Sequence, residues 1–135
     1  MRKALVTVGI TENNYSAHLN IGDGIAVATG KTFEELKEQM AEAIEFHLDG
    51  MREDGDDIPN EFSEEYELLF QFDTESLLQH YKGIFTNSAL EKLTGINQRQ
   101  LQHYASGVSK PRKEQAKKIE KALHKLGREL LVVEL

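Results

Sequence analysis

Between Asn97 and Gly107 the sequence NQRQLQHYASG places Gln98, Arg99, Gln102 and His103 on one face at helical spacing, while Ile96, Leu101 and Tyr104 take the other. All four polar side chains can reach base edges. In a major groove arginine pairs bidentately with guanine and glutamine with adenine, whereas a solubilising face more usually holds Glu and Lys. No carboxylate lies between Asn97 and Gly107. Asn97 stands where an N-cap belongs, with Gln100 as its reciprocal partner and Ile96 and Leu101 as a hydrophobic staple. Lys110 and Arg112, just past this helix, are candidate phosphate contacts. The candidate DNA-binding set is therefore Asn97, Gln98, Arg99, Gln102, His103, Lys110 and Arg112. The blander alternative is a solvated face in an ordinary three-helix bundle.

The elements that would position this face can be read from punctuation. From Thr86 to Leu126 the apolar spacing breaks at Gly95, resumes, breaks again at Gly107 and resumes after Pro111. Three short helices joined by tight turns follow, which is a helix-turn-helix pattern. Leu90 and Leu93 point inward from the first helix, and Ala116, Ile119, Leu123 and Leu126 form the stripe of the last. Upstream, Asp73 or Thr74 caps a supporting helix that runs to about Tyr81. The tail ELLVVEL reads as an apolar C-terminal strand, expected to pair with the sheet or with its equivalent in a second subunit.

Charge divides the 135 residues into two parts. Residues 1–73 hold 5 Lys and Arg against 17 Asp and Glu, a net of −12, and residues 74–135 hold 11 against 6, a net of +5. A basic module is drawn to phosphate, and a strongly acidic one suits a cationic protein. With no cysteine in the chain there is no disulfide, thiolate nucleophile or cysteine metal site, which fits a reducing cytoplasm. No apolar run approaches the roughly 20 residues that span a bilayer, so no membrane role is expected.

Residues 3–11 are β-branched and apolar enough for a strand, and Glu12-Asn13-Asn14 supplies a turn. Tyr15, Ala17, Leu19 and Ile21 then alternate with polar residues, Gly22-Asp23-Gly24 turns the chain, and Ile25 to Thr29 gives a third strand. A helix starts at Thr32, with Glu35 completing a capping box and Leu36, Met40, Ala43, Ile44, His47 and Met51 on one face. MREDGDDIPNEFSEE reads as an acidic loop, and Tyr66, Leu68, Phe70 and Phe72 alternate as a fourth strand. The expected fold is α+β, with β-β-β-α-β over residues 1–73 and a helical domain with a short terminal strand over 74–135.

The stretch GKTFEELKEQMAEAIEFHLDGMREDGDDIP, with its glycine, capped helix and acidic loop closing on Ile58-Pro59, resembles the N-terminal domain of HicB-family antitoxins. The helix-turn-helix that follows resembles the Xre or lambda-repressor-like class that many members carry. The resemblance implies a partial ribonuclease-H-like first domain that binds a basic HicA-type ribonuclease toxin, and a second that binds operator DNA as an autorepressor. Glu53, Asp54, Asp56 and Asp57 are the toxin-binding candidates it suggests, although for any one of them simple solvation of a loop is the plainer alternative. Two departures stand out. Where the family usually has a Pro-x-x-Gly-Cys-type stretch this chain has NIGDGIAVATG, and where the helix-turn-helix class commonly has a small buried alanine it has Glu91, so either the stem of Glu91 lies along the surface or the helix crossing differs.

Catalysis is not expected. A ribonuclease-H-like nuclease needs carboxylates converging on metal, yet the first strand has no Asp or Glu, Glu12 and Asp23 fall in turns, and the helix glutamates are spread along a solvated face. The five histidines lack zinc spacing, and His47 reads as a core residue rather than a ligand. No cofactor is implied. A lone helix-turn-helix covers few bases, so a homodimer reading two half-sites is expected. Two other readings stay open at this point. One is a free-standing regulator whose first domain senses a small molecule, and the other is a nuclease.

Overall fold

A computed structural model describes residues 1–11 and 13–135, which form two compact units, Met1–Asp73 and Thr74–Leu135. The boundary falls where the charge changes sign. Glu12 lies outside the described residues.

In the first unit β1 (Arg2–Thr11), β2 (Asn14–Ile21) and β3 (Gly24–Gly30) form an antiparallel meander, as the alternation predicts. Helix α1 (Phe33–Asp54) then crosses to β4 (Tyr66–Phe72), which pairs parallel with β1 and gives the order β3-β2-β1-β4. Period-two alternation aims Ala4, Val6, Val8, Ala17, Ile21 and Ala26 at one face, and α1 covers it with Leu36, Met40, Ile44 and Leu48. Phe33 adds an aromatic corner, its ring centroid 5.4 Å from each of Phe70 and Phe72. On the opposite face Leu5, Ile25, Val27 and Leu69 are exposed.

Thr32 caps α1, its Oγ1 accepting from the Glu35 N–H at 3.1 Å. The reciprocal bond is shifted by one residue, because Glu35 Oε2 accepts from the Lys31 N–H rather than from that of Thr32. The acidic loop begins later than the sequence suggests. Met51 to Asp54 complete α1, Gly55 closes it, and a 3-10 turn occupies Asn60–Phe62 inside the stretch expected to be irregular. Phe62 explains that turn, since it is buried and packs edge-on against Tyr66 at 4.9 Å.

The second unit contains α2 (Thr74–His80), α3 (Asn87–Thr94), α4 (Gln98–Ser106) and α5 (Lys113–Leu131). Leu78, Leu90, Ile96, Leu101, Tyr104 and Ile119 form its core, with Leu77, Phe85, Leu93 and Leu123 packed around them. The C-terminal strand expected of ELLVVEL is not formed. α5 continues through Leu131, and residues 132–135 adopt no strand. The helical stripe set by Ile119, Leu123 and Leu126 carries straight on into Leu130, so local β-propensity at the two valines loses to propagation of a helix already 17 residues long at Glu129.

Candidate nucleic-acid interface

The turns expected at two glycines are both present. Gly95 (φ 75°) closes α3 and Gly107 (φ 79°) closes α4, each in the left-handed region where a Cβ is strained. At Gly107 a Cβ would stand 2.8 Å from Glu75 Oε1, a flexible side-chain end that can move aside, so the left-handed backbone is what requires glycine there. Between them, Ile96 and Leu101 are buried and staple the entry to α4.

Asn97 caps α4 by accepting the Arg99 N–H on Oδ1 at 2.8 Å. Its oxygen therefore serves the helix. Gln100 does not complete a capping box but donates to Ser109 Oγ at 3.2 Å, tying the middle of α4 to the segment after it. Gln98, Arg99 and Gln102 are exposed on one face, whereas His103 is half-buried. Lys110 and Arg112 are both exposed beyond the end of α4, and Arg112 occupies the N-cap of α5 without a side-chain cap bond. The predicted recognition face is thus brought together, with His103 at its margin.

Two contacts on this face were not legible in the sequence. Glu91, half-buried on α3, accepts the Gln98 backbone N–H on Oε1 at 3.1 Å, and Gln98 Nε2 reaches its Oε2 at 3.4 Å. Asn87 Nδ2 donates to Gln102 Oε1 at 2.9 Å. Glu91 thus bridges to the next helix, its side chain half-buried against the start of α4. The helix behind the pair is held by Gln79, which donates to the Ala105 carbonyl at 3.2 Å.

In the first unit the acidic candidates divide. Glu53, Asp54, Asp56 and Asp57 are all exposed, the first two on the last turn of α1 and the others after Gly55. Asp54, Asp56 and Asp57 share with Asp23 the lining of an open cleft of about 630 Å³ between the β2–β3 turn and the end of α1, and Glu53 is not part of it. Phe46 joins that lining and is 82% exposed. An aromatic off the apolar stripe of α1 is its only trace in the sequence. His47, read as a core residue, is half-buried in the same cleft, its ring filling the space that a Cβ on Gly24 would need.

Two helices joined at a glycine turn, the second with an exposed polar face, define the second unit as a helix-turn-helix module. Residues 82–130 match a family model described as Helix-turn-helix, the Xre and lambda-repressor-like type, which supports DNA binding and transcription regulation. No curated protein and no solved structure gave a significant match to the chain. Among the described residues, no helix is long and apolar enough to cross a membrane.

Proposed function

We propose that this chain is an antitoxin of the HicB type, with residues 1–73 neutralising a HicA-type mRNA-cleaving toxin and residues 74–135 repressing the operator of its own gene pair. The observation that carries the DNA half is the exposed face of Gln98, Arg99 and Gln102 on α4 within the region that matches the helix-turn-helix model. The toxin half rests on resemblance and charge. The −12 of residues 1–73, from 5 basic and 17 acidic side chains, speeds encounter with a cationic protein and discourages RNA from occupying the same surface. The strand order β3-β2-β1-β4, with α1 crossing to a parallel β4, supports the partial ribonuclease-H-like reading. The proposed role is binding, in the cytoplasm, without catalysis or cofactor.

The protein acts as a homodimer in this reading, since two half-sites about one DNA turn apart need two recognition helices. Leu130, Leu131, Val132 and Val133, exposed at the end of α5, supply apolar surface for self-association.

Co-purification with the product of an adjacent small reading frame, followed by an RNA-cleavage assay of that product with and without this chain, tests the proposal. Stable binding with loss of cleavage is expected. Replacing Asp54, Asp56 and Asp57 by Lys should slow association at least tenfold at low salt, with the difference shrinking as salt rises. A chain that binds DNA but no such product would instead fit a free-standing regulator.

A further inference from the structure

Gln98 and Gln102 both face outward from α4, and the Gln98 carboxamide is oriented by its neighbour on α3. A carboxylate only accepts hydrogen bonds, so the Glu91 contact at 3.4 Å requires the amino end of Gln98 to face Glu91 and fixes which way that amide is flipped. The shorter bond, from the Gln98 backbone N–H to Glu91 at 3.1 Å, anchors the carboxylate at the N-terminus of α4, where the helix dipole favours negative charge. Excluding water from the pair, as a docked duplex would, strengthens both contacts.

Counting what remains gives a base preference. With one N–H engaged by Glu91, Gln98 offers one N–H and one carbonyl oxygen. The major-groove edge of adenine asks for that pair, presenting N7 as acceptor and N6 as donor, whereas guanine presents two acceptors, N7 and O6. Facing guanine, Gln98 would set its carbonyl against O6. Gln102 carries no such constraint, because its partner at 2.9 Å, Asn87, is an amide that can donate or accept.

Resting on the DNA-binding reading, we infer that Glu91 is a positioning residue that commits Gln98 to adenine and rejects guanine at the base pair it meets. The recognition code of this module therefore extends beyond the residues that touch bases to one on the preceding helix.

Selection of bound sites from a randomised duplex library, using the full chain, reads this directly. Wild type is expected to enrich adenine at one position of each half-site, and Gln98→Met should flatten that position alone. Glu91→Ala should admit guanine there, with about a tenfold loss of adenine-over-guanine discrimination. Glu91→Gln, whose carbonyl still accepts, should restore it. If Glu91→Ala loses its helical circular dichroism, Glu91→Met, which keeps the stem, replaces it. Identical base preferences for wild type and the folded Glu91 variant would overturn the role of Glu91 while leaving DNA recognition intact. Failure of Gln98→Met to alter any position would overturn the assignment of Gln98. Failure of wild type to enrich any sequence would overturn the DNA-binding reading itself.

Discussion

The Tyr66 hydroxyl donates to Glu45 Oε1 at 2.5 Å, fastening β4 to the middle of α1. Burial, then the hydrogen bond to Glu45 and its negative charge, push the tyrosine from its ordinary value of 10.0 up to about 12, with Arg52 opposing. The folded value lies above the unfolded one, so this stabilisation is complete below pH 10 and is lost as the pH rises from there towards 12. Thermal melts of wild type should therefore fall through that window. Tyr66→Phe should start lower at neutral pH and fall less steeply, and parallel curves for the two proteins would contradict the assignment.

In the second unit the sign reverses. Burial holds the His80 imidazole below its ordinary 6.5. The folded value is the lower one, so the stabilisation is present above pH 6.5 and lost as the pH falls through the depressed value. Melting of the helical unit, followed by circular dichroism between about pH 7.5 and about pH 5, should show this acid sensitivity, and His80→Gln should reduce it.

Leu101 is fully buried at the centre of the helical core. Leu101→Ala should cost about 2 to 5 kcal/mol, which rivals the whole stability of so small a unit. Loss of helical signal with the strand signal of residues 1–73 preserved is the expected spectrum. An unchanged melt would mean that the site collapses around the smaller side chain.

Arg99 and Lys110 should differ in kind. Arg99→Ala is expected to lose about 1 to 3 kcal/mol at one base position, while Lys110→Ala should weaken all sequences alike and lower the salt slope by about one. Footprinting and salt titrations separate the two. A footprint unaffected by Arg99→Ala would remove that residue from base readout.

The helical unit was the more legible half, for a physical reason. Gly95 and Gly107 mark positions that side-chain-bearing residues resist, and the staple joins Ile96 and Leu101, only five positions apart, so both are written locally. The meander β1–β3 was equally local. The pairing of β4 was not, because alternation along Tyr66 to Phe72 says that one face is buried but not which strand lies alongside. The tail failed for another reason. Its two valines favour a strand, yet the helix behind them simply runs on. Glu91 looked like a misfit because its partner is seven residues away across a turn, where spacing rules for helices and strands do not reach. Phe46 is illegible because an exposed aromatic leaves no periodic trace.

During synthesis the first strand emerges long before its neighbour. Arg2 pairs with Tyr66 and Val8 with Phe72, so each residue on that edge of β1 waits for another 64 to be made. At roughly 5 to 20 residues per second the delay is about 3 to 13 s. Throughout it, the backbone groups of Ala4, Val6 and Val8 that β4 will engage form an open ladder that another nascent chain can join. Ribosomes stalled between Gly55 and Tyr66 would release chains with the meander and α1 complete but that edge uncovered. Truncated products, more than the finished protein, are therefore the expected source of aggregates.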